Sequence, residues 1–98
     1  MIERDDERRF CDYAMRHGCL CMKMRNDGSN GLPDRQVVTP LGHVCYFEFK
    51  TPRGVLSRQQ KYWIRELESR KLRVYVVRSY DQAKDILQRM LKDENDIR

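Results

Sequence analysis

The chain reads as an α/β fold, a mixed β-sheet flanked by helices in the order α-β-β-β-α-β-α. Three features of the sequence predict this. The segment from His43 to Lys50 reads as a strand, with Cys45, Phe47 and Phe49 on one face and Glu48 and Lys50 on the other at a period of two. Two S-x-x-Q capping boxes, Ser57/Gln60 and Ser79/Gln82, each open a stretch of helical periodicity. Between those helices lies the apolar run Val74-Tyr75-Val76-Val77, which a strand-helix-strand crossover lays parallel to its predecessor.

The elements follow in order. A first helix is expected from about Arg4 to His17, with Phe10, Cys11 and Ala14 as its apolar stripe and Gly18 as a left-handed cap. Glu7 extends that stripe one turn earlier, placing an acid on the inward face. Cys19 to Met24 reads as a short strand, Asn26 to Gly31 as a loop, and Asp34 to Thr39 as a second strand. Pro40-Leu41-Gly42 then forms a turn. With Gly42 left-handed in a three-residue loop, Thr39 pairs with His43 and Asp34 falls opposite Glu48. On the third strand Cys45, Phe47 and Phe49 point one way, and Val44, Tyr46, Glu48 and Lys50 the other. That register gathers Asp34, Glu48 and Lys50 on one face of a hairpin. Thr51 to Leu56 is a loop, and Trp63, Ile64 and Leu67 give the next helix, which runs to about Lys71, its apolar face. The Val74 strand is expected to be buried on both sides. Ala83, Ile86, Leu87, Met90 and Leu91 mark a last helix, and the charged segment from Lys92 to Arg98 is expected to fray.

Composition bounds the function. Ninety-eight residues, 40% hydrophobic and 36% charged, suit one folded domain over residues 1–98 and exclude a disordered or fibrous chain. No apolar run approaches the ~20 residues of a membrane-spanning helix, and the charged start from Met1 to Arg9 lacks the apolar stretch of a secretory leader. No membrane partner and a cytoplasmic location are therefore expected. The net charge of +5 favours a polyanionic partner, nucleic acid first, without identifying it. Cys11, Cys19, Cys21 and Cys45 form no CxxC pair and have no His at zinc-ligand spacing, so they read as small buried hydrophobes in a reducing compartment.

Two carboxylates meeting on a hairpin face suit a hard dication, since Mg2+ is commonly held by one or two carboxylates completed by water and phosphate. Lys50, on the same side as Glu48, is placed to orient a water and neutralise charge on a phosphate. An isolated Glu-x-Lys pair is ordinarily a solvated ion pair worth under ~1 kcal/mol. What singles this one out is its setting: Pro33-Asp34, thirteen residues, then Glu48-Phe49-Lys50, preceded by a Gly-rich loop and followed by a helix opening at Ser57.

This is the pattern of the PD-(D/E)xK nucleases, and the succession GLPDRQVV, GHVCYFEFK, GVLSRQQKYWIREL and VYVVRS resembles the VRR-NUC family from Glu7 to about Leu91. The resemblance implies a restriction-endonuclease-like fold and hydrolysis of DNA with Mg2+ or Mn2+, by in-line attack of water on phosphorus. It implies Glu7, Asp34, Glu48 and the main-chain carbonyl of Phe49 as metal ligands, Lys50 as the catalytic lysine, and Gln60 as a helper. Two of these stay open: Glu3, one turn before Glu7, competes for the first-helix role, and Gln60 is equally the second half of a capping box. Lys71 stands where the family usually has glycine, at a cost on the order of 1 kcal/mol if the position needs positive φ. Lys23, Arg25, Arg35, Arg53 and Arg58 flank the pocket as candidate phosphate contacts. Trp63 reads as core, with Tyr62 or Trp63 stacking on a splayed base as the rival reading, and His17 and His43 as surface histidines.

Short members of the family resemble Holliday-junction resolvases, which implies a homodimer acting on branched DNA. Symmetric incision of a four-way junction independently needs two sites related by a two-fold axis. The alternatives are a nuclease for flap, nicked or duplex DNA, or a non-catalytic nucleic-acid-binding module on the same scaffold. Through the same resemblance alone, the single-domain form implies a phage or bacterial protein, the former acting in its host's cytoplasm.

Overall fold

The computed structural model describes residues 3–25 and 30–97. Its elements are α1 (Glu3–Arg16), β1 (Leu20–Lys23), β2 (Arg35–Val38), β3 (Val44–Phe49), α2 (Arg58–Ser69), β4 (Arg73–Val77) and α3 (Tyr80–Ile97), the α/β order expected. The sheet runs β1-β2-β3-β4, antiparallel across the first three strands and parallel between β3 and β4. The hairpin register is the one the turn predicts: Val38 pairs with Val44, Thr39 N–H donates to His43 at 2.9 Å, and Gly42 has φ +88°.

Alternation along the strands sorts residues onto two faces. Val37, Cys45, Phe47, Phe49 and Val77 face Phe10, Tyr13 and Ala14 of α1 and Ala83 and Leu87 of α3, and these side chains form the core. Phe10 packs on Phe47 at 4.4 Å between ring centroids and on Phe49 at 5.6 Å. Cys19 and Cys45 are buried in this layer, and burial pushes the Cys45 thiol up to about 12, as expected of a cysteine serving as a small hydrophobe. All four cysteines are free thiols.

The opposite face is covered unevenly. α2 packs against β4, and not one of its side chains is fully buried; Trp63, Ile64 and Leu67 are each half-covered. On the far side of this face, Leu20 and Met22 of β1 stay 59% and 41% exposed. β4 is an edge strand, yet Val74 is buried on the side of α2 and Val77 on the side of α1 and α3, with Tyr75 and Val76 half-buried, so the strand is covered on both faces as its apolar run predicts, if not completely.

Helix ends follow local chemistry. Gly18, at φ +85°, closes α1, and Cys19 N–H reaches back to Ala14 C=O at 3.0 Å. Lys71 closes α2 in the same left-handed conformation, φ +71°, with Leu72 N–H on Leu67 C=O at 3.1 Å. α3 continues to Ile97 where the sequence predicts fraying from Lys92. Glu94, buried on that last stretch, accepts hydrogen bonds from Thr39 Oγ1 and His43 Nδ1 at the β2-β3 turn, which anchors the helix end to the sheet. Arg98 lies outside the described residues.

Candidate active site

β2 and β3 place the two candidate carboxylates at one end of the hairpin. Met24 N–H donates to Asp34 C=O at 2.9 Å, which extends the ladder and fixes the Asp34 backbone. Phe49 lies past the end of β2, and its N–H is taken by Asp34 Oδ2 at 2.7 Å. Asp34 is thereby held against the amide next to Glu48. Glu48 is buried, 4% exposed, and Gln60 Nε2 donates to its Oε2 at 2.9 Å. Lys50 Nζ stands 3.9 Å from the same oxygen.

Gln60 resolves the two sequence readings by fulfilling both geometries. Its Oε1 accepts from Ser57 N–H at 2.8 Å, and Ser57 Oγ accepts from Gln60 N–H at 3.1 Å, a complete capping box. Its Nε2 remains for Glu48. One amide thus ties the start of α2 to the buried acid. The loop after Lys50 is clasped from β4: Arg78 Nη1 donates to Thr51 C=O at 2.9 Å and Gly54 C=O at 2.6 Å. Neither contact was legible in the sequence, because a loop carbonyl leaves no residue-type signature.

Glu7 is placed differently. It faces inward from α1 as predicted, 7% exposed, but its Oε2 accepts from Arg35 Nε at 2.7 Å and Lys23 Nζ at 3.1 Å. Arg35 and Lys23 pair across β1-β2 on the core side of the sheet. Burial opposes the Arg35 charge, yet its hydrogen bond to Glu7, the Glu7 charge and the neighbouring Cys11 and Cys21 together outweigh it and hold its pKa above the usual value. Its Nη1 also meets Cys11 Sγ at 3.6 Å. Arg35 is therefore committed to Glu7, whereas Lys23 keeps most of its side chain in solvent. Among the described residues no three His, Cys, Asp or Glu side chains form a group able to hold a metal, so Glu7 is not gathered with Asp34 and Glu48. The side chain of Glu3 and the loop residues 26–29 lie outside the described residues. Arg25, Arg53 and Arg58 are exposed.

Gly31 joins this region to α2. A Cβ on it would lie 2.6 Å from the Gln59 carbonyl carbon, and its φ is +93°. Only glycine lets the segment leading to Asp34 rest on the first turn of α2.

The donors at the hairpin end are hard oxygens beside a lysine, held on a mixed sheet with helices on both faces. A fold of this kind is of the nuclease type, and comparison with known proteins gives the family. The model of the VRR-NUC domain matches residues 5–81, and the chain belongs to that family, one of nucleases with the PD-(D/E)xK type of fold. A solved structure titled VRR_NUC domain is similar over 88% of this chain and 94% of its own, with a TM-score of 0.80 and 23% identity. No curated protein matches the chain. No helix among the described residues is long and apolar enough to cross a membrane.

Proposed function

We propose that this protein is a divalent-metal-dependent endonuclease that hydrolyses DNA phosphodiester bonds, working as a homodimer on branched DNA. The supporting observation is the convergence of Asp34, Glu48, Lys50 and Gln60 at the end of β3. Two carboxylates suit Mg2+ or Mn2+, and two such ligands leave room for water and substrate phosphate. Asp34, Glu48 and the Phe49 carbonyl would hold the ion, which when bound supplies Lewis-acid stabilisation of the phosphate. A buried carboxylate is costly to keep unless charge is needed where it sits.

The chain's own groups share the remaining work. Phe49 N–H fixes the rotamer of Asp34, and Gln60 fixes that of Glu48, so neither acid has to be ordered when substrate arrives. Lys50, half-buried and 3.9 Å from Glu48, keeps its ammonium at the site to orient a water and neutralise charge on the scissile phosphate. Glu7, paired with Arg35, braces α1 against the strand that carries Asp34; a role as a further metal ligand would require it to release that partner.

Glu48→Ala and Lys50→Ala are each expected to lower cleavage by about a hundredfold or more with an unchanged circular dichroism spectrum, and excess EDTA to stop the wild type. Full nicking of plasmid DNA by either variant, or in EDTA, would refute the proposal. Labelled four-way junction, flap, nicked and linear duplex substrates separate a junction resolvase from a nuclease of broader choice.

A further inference from the structure

Arg58, Lys61, Tyr62 and Arg65 stand at i, i+3, i+4 and i+7 of α2, hence on one side of the helix. With Gln59 they line an open groove of about 470 Å³. Its lining is one-sided in charge: three cations, an amide and a phenol, with no carboxylate. Among the described residues none of the three cations forms an ion pair, whereas Arg70, just past the end of α2, is bound to Glu66 at 3.1 Å. Tyr62 is 46% exposed and braced edge-on by Trp63, with ring centroids 5.2 Å apart. The groove shares the first turn of α2 with the candidate active site but lies on the outer side of the helix, roughly opposite Gln60. Gln59 is the residue on which Gly31 rests, and the next residue, Gln60, holds Glu48.

Unpaired cations call for a polyanion, and an exposed ring among them calls for a flat apolar partner. Paired duplex offers the first but not the second, because its base faces are already stacked on one another. An unpaired strand offers both. We propose that this side of α2 binds an unpaired stretch of the DNA substrate, with Tyr62 stacking on a base while Arg58, Lys61 and Arg65 follow the phosphates. The inference rests on the nuclease reading and deepens it: the substrate class is DNA that carries an unpaired stretch.

Binding is measured by fluorescence anisotropy in EDTA, so that no cleavage intervenes, on a fully paired duplex and on the same duplex carrying a single-stranded arm with 2-aminopurine. Tyr62→Ala should weaken binding of the armed duplex about tenfold, leave the paired duplex unchanged and abolish the 2-aminopurine quenching, while Tyr62→Phe preserves all three. Replacing Arg58, Lys61 and Arg65 together by alanine should lower the salt dependence of the armed duplex by about two in log-log slope. Equal loss on both DNAs, no loss on either, or the same Tyr62 dependence for a poly-glutamate peptide would overturn the proposal. So would a shift of Tyr62→Ala to a lower sedimentation coefficient without DNA, which would make the ring a subunit contact. Failure here leaves the nuclease reading intact, since that reading is tested by cleavage in Glu48→Ala.

Discussion

Two helices end in the same left-handed turn, one on Gly18 and one on Lys71, and the comparison isolates what a single side chain costs. Glycine enters this region without penalty, while a Cβ crowds the neighbouring carbonyl by roughly 1–2 kcal/mol. Part of that returns through the greater freedom of glycine in the unfolded chain. Lys71→Gly is therefore expected to stabilise the protein by about 0.5–1 kcal/mol, raising Tm by roughly 2–8 °C with activity unchanged. Calorimetry showing no rise would mean the position carries no strain. Glu94 is a second residue with a measurable signature. Burial works to raise its pKa, but hydrogen bonds from Thr39 and His43 and the His43 charge outweigh it and hold it below the ordinary 4.5. A carboxyl depressed in the folded state contributes stability that is present above its unfolded pKa and lost as pH falls through the folded one. Wild-type Tm should thus drop on acidification below the usual glutamate range, and Glu94→Gln should flatten that drop; parallel Tm-versus-pH curves would contradict it.

At the scale of elements, α2 carries the argument because its first turn serves both folding and the site. Ser57 acts only on the helix start, while Gln60 acts on the helix and on Glu48. Ser57→Ala should cost about 1 kcal/mol of stability and leave cleavage within a few-fold of wild type. Gln60→Ala should cost a similar amount of stability and also lower cleavage about tenfold or more, since Glu48 loses the donor that orients it. Equal cleavage rates in the two variants, measured well below both melting temperatures, would reduce Gln60 to a cap. The sequence carried the S-x-x-Q pattern but not the second use of the amide, because a capping glutamine has a spare N–H group whose target lies twelve residues away in the chain.

At the scale of the molecule, the sheet is covered on one side by α1 and α3 and on the other only partly by α2. Leu20 and Met22 share with Val38 and Val44 the face on which Glu48 lies, and β1 is an edge strand. An exposed apolar strip on an edge strand is a natural contact for a second subunit. If the homodimer forms there, Leu20→Lys and Met22→Lys should shift sedimentation at micromolar concentration towards monomer without unfolding the chain. A dimer that survives both changes uses another surface.

What the sequence determined by itself is whatever repeats locally: strand alternation, helix stripes, capping boxes and the length of the Pro40-Leu41-Gly42 turn. Those suffice to order all seven elements and to set Asp34 opposite Glu48, because register follows from a turn and a period of two. The same alternation puts Arg35 on the core side with the inward Glu7, so their common side of the sheet was readable but their contact was not, and the motif drew Arg35 towards the substrate instead. Only the tertiary structure decided that Glu7 meets Arg35 and Lys23, that Glu94 pins the last helix, and that Gln60 reaches Glu48. Each of these joins groups far apart in the chain through side-chain reach, and reach across space leaves no periodic mark in the order of residues.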